Sequence, residues 1–190
     1  MVFTSSKPEA LELLTKYLKD ERMVKHCLAV SAVMRALGRR LGRDERLWEL
    51  VGLLHDIDYD YVERDMSRHG LGAMRILEGV LPRVALEAIA SHNEHSGFKP
   101  TSEEAAELSH ALRASDHLAG LIVATALVMP SKKLAEVGPD TLARKFKSKD
   151  FARGVSRDRI REIEKLGIDL EEFLDLGLKA LKEVDRELGL

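Results

Sequence analysis

The first chemical signal in this sequence is an adjacent pair, His55-Asp56. An imidazole nitrogen and a carboxylate oxygen side by side at a helix end can converge on one divalent cation, and the second carboxylate oxygen can reach another. The plainer alternative is a histidine near C-terminal carbonyls beside a solvated aspartate. Two distant residues strengthen the first reading. His26 stands one turn ahead of Val30 on an apolar stripe, and Asp116 falls inside a mostly apolar segment with Leu112, Ala119 and Gly120 around it. A lone buried carboxylate is costly unless it is paired or holds a metal. For Asp116 the alternative is an ion pair with Arg113 or a neighbouring arginine. His26, His55, Asp56 and Asp116 together supply two imidazoles and two carboxylates, a set suited to Mg, Mn, Fe, Co, Ni or Zn. All seven histidines of the chain lie between His26 and His117.

The elements that must position these residues are helical, and no alternating run is long enough for a convincing strand. The first helix is expected from Pro8, burying Leu11, Leu14 and Leu18. A second runs from about Glu21 to Leu41, ended by Gly42, with Val30, Val33, Met34, Leu37 and Leu41 inward. Asp44 caps a third, which ends at His55-Asp56. Residues 57–67 lack a period and read as a loop, helices follow at about 68–80 and 82–93, and 94–102 form a second loop. A long helix from about Ser102 to Met129 is almost wholly apolar in its second half and is stopped by Pro130. Short pieces, a helix after Ser156 and a last amphipathic helix after Asp169 complete an all-α, compact helical bundle.

In this order the residues resemble the HD superfamily of metal-dependent phosphohydrolases, whose pattern of His, then His-Asp, then a distant Asp is matched by His26, His55-Asp56 and Asp116. The strings KHCLAVSAVMRAL, GLLHDIDYD, RHGLGAMRIL, AIASHNEHSG and ASDHLAGLIVA are similar to successive blocks of small stand-alone members, covering residue 22 to about 128, and FKSKDFARGV resembles the C-terminal extension of one subgroup. The resemblance implies one HD-type unit over 1–190, with its core at about 20–130 and a basic helical extension at about 131–190. It implies a phosphohydrolase of a nucleotide or other small phosphate ester, with one or two divalent ions, His55 and Asp56 as the catalytic pair, and His69 and His92 completing a second metal site bridged by Asp56. A non-catalytic nucleotide-binding module and a di-iron oxygenase on the same ligands are the other functions within reach. His95, His110 and His117 are set aside as ligands. Two departures stand out. Asp58-Tyr59 replaces the Gly-Lys that commonly continues the motif, and HSGFKP only loosely echoes the Gly-Tyr-Pro signature of cyclic-dinucleotide phosphodiesterases. Asp58 and Asp60 are either orienters of ligands or solvated loop carboxylates.

Composition bounds the rest. With 30 Lys+Arg against 32 Asp+Glu in 190 residues, the formal charge of -2 excludes a uniformly basic nucleic-acid coat and a disordered tail protein. One cysteine, Cys27, permits neither an internal disulfide nor a Cys-based zinc site. The start of the chain lacks the pattern of a secretory leader, and the apolar run 118–129 is too short to span a bilayer, so a cytoplasmic location and no membrane partner are expected. The absence of Gln and the single Asn93 point to a heat-adapted source. Residues 131–159 hold nine basic and four acidic side chains, a local +5. Lys132, Lys133 and Arg153 are the expected phosphate-binding cations there; the others read as a solvated face. Without interleaved aromatics, nucleic acid is not the expected partner, and nothing fixes an oligomeric state.

Overall fold

The computed structural model describes residues 6–190. Residues 1–5, part of the segment examined for a secretory leader, lie outside the described residues. The described chain is all-α, and its only β-type pairing among those residues is an isolated bridge between Glu78 and Leu81. No described helix is long and apolar enough to cross a membrane.

Helix α1 (Lys7–Tyr17) begins with a reciprocal cap in which Ser6 Oγ accepts from the Glu9 N–H while Glu9 Oε2 accepts from the Ser6 N–H. Helices α2 (Glu21–Arg40) and α3 (Glu45–Leu54) start at Asp20 and Asp44, whose carboxylates accept from Arg22 and Leu47 backbone N–H groups. They pack closely because Gly52 carries no side chain: a Cβ there would sit 2.8 Å from Ser31 Cα. That approach brings His26, in the second turn of α2, beside His55 at the end of α3.

The segment expected as a helix over 68–80 forms only α4 (Leu71–Ile76). Gly70 and Gly79 adopt left-handed backbone conformations at its two sides, with φ of 86° and 77°, so helical geometry cannot run through either. Helix α5 (Arg83–His92) is followed by a short 3₁₀ turn at Glu94–Ser96. The long α6 (Glu103–Leu127) runs through the core, with Leu112, Leu118, Leu121 and Ile122 fully buried. The Ser91 hydroxyl bonds the Ser109 hydroxyl at 2.8 Å and ties the end of α5 to α6.

Beyond Pro130 come a 3₁₀ turn (Leu134–Glu136), α7 (Pro139–Lys147), α8 (Arg157–Ile160) continued as 3₁₀ helix to Leu166, α9 (Leu170–Glu183) and α10 (Asp185–Leu188). Helix α9 buries Phe173, Leu174, Leu178 and Leu181, while Leu170 and Val184 at its two ends are only partly covered. Arg157 organises the loop before α8. Its guanidinium donates to the carbonyls of Lys145, Phe146, Ser148, Phe151, Ala152 and Val155. Part of the local +5 is therefore consumed in satisfying backbone, not in meeting solvent.

Candidate metal centre

The six expected ligands come together, and Asp56 is the pivot. Its Oδ2 lies 3.3 Å from His55 Nε2 and 3.9 Å from His26 Nε2, while its Oδ1 lies 3.2 Å from His69 Nε2 and 3.5 Å from His92 Nε2. Asp116 Oδ1 is 2.9 Å from His26 Nε2. Two groups result, His26-His55-Asp116 and Asp56-His69-His92, and within each the donor atoms lie within 4.8 Å of one another. Arg113, the alternative partner of Asp116, is taken up elsewhere by Glu162, the Ser91 carbonyl and the Ser109 hydroxyl. His26 differs from expectation in being about a quarter exposed: its ring leaves the apolar stripe for the carboxylates.

The other ring nitrogens explain why three of the imidazoles point one way. His55 Nδ1 donates to the Gly52 carbonyl (2.8 Å), His92 Nδ1 to the Ile89 carbonyl (2.6 Å) and His69 Nδ1 to Asp58 Oδ1 (2.8 Å). Each bond turns Nε2 towards the cluster, where its lone pair is available in the neutral tautomer. His55 Nε2 is buried without a hydrogen-bond partner, an orphan that a metal ion would satisfy. Asp58 is fully buried, and its second oxygen accepts from Gly70 and Ala73 N–H. It is an orienter of His69, whereas Asp60 accepts from Lys19 N–H and pairs with Arg64 away from the cluster. Asn93, the one asparagine, donates to the carbonyls of Met66 and His69 and so fastens the 57–70 segment to the end of α5.

Electrostatics fit the same reading. Burial opposes charge on His55, but Asp56 and then Asp116 outweigh it and raise the imidazole to about 9. Burial likewise opposes charge on His69, yet Asp56 and Asp58 raise it to about 10. Asp56 is held well below the ordinary carboxylate range, burial being overcome by His55, His69 and His92. Without metal these imidazoles keep their protons past neutral pH, and a bound cation would take the protons' place. Cys27, set aside on sequence, lies close enough to His55 and Asp56 to form a third group. Burial, then the charges of Asp56 and Asp116, push its thiol well up.

Above the cluster opens a cleft of about 410 Å³, bordered by Tyr59, Met66, His95, His117, Ser156 and Arg159 as well as by Asp56, His69, His92 and Asp116 of the cluster. Lys132, Lys133 and Arg153 do not border it. Lys132 is exposed in a left-handed turn (φ 56°), Lys133 Nζ reaches the Gly189 carbonyl, and Arg153 pairs with the exposed Asp150. These three are corrected as occupants of the cleft wall, because the chain after α6 turns away before returning at Ser156. Arg159 holds the place instead, and the charge count could not single it out from its eight basic neighbours. His110 and His117 belong to neither metal group among the described residues, as expected, although His117 borders the cleft and its Nδ1 accepts from Ser156 N–H. A separate hollow of about 450 Å³ between α2 and α9 is lined by none of the six expected ligands.

Beneath Arg159 lies Glu162, which is buried and engaged by Arg113, Arg159 and His110. Burial works against its charge, but Arg113, His110 and Arg159 outweigh it and lower the carboxyl from the ordinary 4.5 to about 2. A depressed carboxyl stabilises the fold fully above its unfolded pKa and loses that contribution as pH falls through the folded one. Thermal unfolding of Glu162→Gln should therefore show a lower Tm at neutral pH and a smaller loss of Tm than the parent between pH 4.5 and 2. Parallel acid limbs for the two proteins would refute this.

A search of the curated proteins and a search of the solved structures gave no match. The family model for the HD domain matches residues 23–121, a stretch that contains every member of the His26, His55, Asp56, His69, His92 and Asp116 cluster, and the chain belongs to the HD domain family.

Proposed function

We propose that the protein is a metal-dependent phosphohydrolase acting on a nucleotide or another small phosphate ester. The observation that carries this reading is the split of Asp56 between two imidazole sets, one oxygen facing His26 and His55 and the other facing His69 and His92. His26, His55, Asp56 and Asp116 would hold one cation, and Asp56 with His69 and His92 a second. A divalent cation held there would lower the pKa of water towards neutrality and would offset charge developing on a phosphoryl group. The chain does the rest. The Nδ1 tethers of His55, His69 and His92 hold the ring orientations before anything binds, so little movement of the rings accompanies binding. The cleft has the volume of a small-molecule site, about 300–1,000 Å³, and Tyr59 and Met66 give it an apolar wall that suits a nucleobase or similar group.

Metal analysis of protein purified without chelator, paired with phosphate release from nucleotides and generic phosphate esters, tests the proposal. Bound divalent metal together with turnover that chelator abolishes and metal restores is the expected result. Tight nucleotide binding without turnover across several metals would replace it with a binding module. Bound iron with oxygen uptake in the presence of a polyol or phosphonate would replace it with an oxygenase.

A further inference from the structure

We propose that Arg159 is the anion-recognition residue of the cleft and that Glu94 is its exchangeable counterion, displaced by the phosphoryl group of an incoming phosphate monoester. The inference rests on the phosphohydrolase reading but concerns residues outside the metal centre. Arg159 also lies beyond the stretch matched by the HD family model, so this recognition would belong to the C-terminal extension.

Among the described residues, Arg159 is the one lysine or arginine that borders the cleft over the cluster. Its guanidinium is shared between two carboxylates of different standing. One terminal nitrogen bonds Glu162 Oε1, and Glu162 is itself buried and engaged by Arg113 and His110, so it cannot leave. The other terminal nitrogen bonds Glu94 Oε2 across the cleft mouth. The Glu94 side chain is 65% exposed and sits in a three-residue 3₁₀ turn. Exposed ion pairs contribute little, so exchanging Glu94 for another anion costs little. A planar guanidinium presents its N–H groups to phosphoryl oxygens in the same geometry it offers a carboxylate, and the two compete for the same donors.

Position is secured from behind. Arg157 gathers six carbonyls of residues 145–155, Ser156 N–H donates to His117 on α6, and the Ser156 hydroxyl accepts from the Arg159 N–H. Arg159 is thus presented by a hydrogen-bonded loop end and anchored by Glu162, with one face of its fork closed by an exposed acid. A single guanidinium beside the metal groups matches a single phosphoryl group, which is why the geometry favours a monoester over a polyphosphate chain.

Calorimetric titration of the Mn²⁺-loaded full-length protein with inorganic phosphate tests this. Arg159→Met should weaken phosphate at least about tenfold, Arg159→Lys should fall between it and the parent, and Glu94→Gln should tighten phosphate about threefold or more by removing the competitor. All three should retain the parent's Mn²⁺ stoichiometry. A gain of affinity in Glu94→Gln is not an outcome that damaged folding can produce. Unchanged phosphate affinity in Arg159→Met, unchanged or weaker affinity in Glu94→Gln, or no phosphate binding by the Mn²⁺-loaded parent would overturn the inference and leave the metal centre standing. Failure of the parent to take up Mn²⁺ or any other divalent ion would overturn the metal-centre reading and this inference with it.

Discussion

Asp56→Asn should bind neither cation tightly and lose about 1,000-fold or more in phosphate release, equivalent to about 4 kcal/mol. The replacement keeps size and shape, so the expected loss is chemical. Asp56 serves His26 and His55 through one oxygen and His69 and His92 through the other. Asparagine can turn its single oxygen to one side only, and on the other it presents N–H groups to Nε2 atoms that would otherwise donate lone pairs to a metal. It also removes the negative charge that offsets a divalent ion. The fold should survive, because the Nδ1 tethers of the imidazoles do not involve Asp56. The measurements are metal content after dialysis, the rise of Tm on adding Mn²⁺, and steady-state hydrolysis. A ligand present at one hundred times its Kd stabilises by about 2.7 kcal/mol, so loss of the Tm rise is readily seen. Asp116 stands with Asp56 in expected severity, then come His26 and His55, with His69 and His92 milder if one metal suffices. An Asp56 variant that kept both its metal and its turnover would sink the proposed mechanism.

What could be foreseen from sequence divides along physical lines. His26, His55, Asp56 and Asp116 were accessible because each interrupts or terminates an apolar helical stripe, and a polar residue on such a stripe demands a partner. His69 and His92 came from the order of local blocks resembling a family, since each stands at the end of an expected helix, where a solvated histidine is ordinary. Asp58 lay in an aperiodic stretch where nothing separates a solvated carboxylate from a fully buried one; only the fold shows it accepting from His69, Gly70 and Ala73. The position of the phosphate-directed cations is hidden for a related reason. Lys132, Lys133, Arg153, Arg157 and Arg159 are equivalent as charges in a list, and which of them faces the cleft depends on backbone turns such as the left-handed conformations at Lys132 and Ala152. The overlong helix over 68–80 shows the same limit, because Gly70 and Gly79 act through φ and not through hydropathy.

Asp58 is where local backbone and metal chemistry meet, and its replacement should separate the two metal groups. In Asp58→Asn the side-chain oxygen can continue to accept from Gly70 and Ala73 N–H, which places the amide N–H₂ against His69 Nδ1–H. Two donors cannot face each other at 2.8 Å, so His69 must shift its proton to Nε2 and thereby lose the lone pair aimed at the cluster. Affinity at the Asp56-His69-His92 group should drop about 10–100-fold, the usual effect of removing a carboxylate behind a ligating histidine. The His26-His55-Asp116 group has no contact with Asp58 among these bonds and should keep its affinity. Asp58→Ala is harsher: it leaves three buried donors unpaired, each costing about 1–3 kcal/mol, and should destabilise the fold by about 3 kcal/mol or more. Gly72→Ala approaches the same carboxylate from the other side, since a Cβ there would come within 2.7 Å of Asp58 Oδ2, and should reproduce part of the Asp58→Asn phenotype with the carboxylate still in place. Titration of metal-free protein with Mn²⁺ reads all three: the parent should bind in two phases, and Asp58→Asn should weaken one and spare the other. Two phases unaltered in Asp58→Asn would show that His69 is held by packing alone and that the buried carboxylate serves the turn into α4, not the metal.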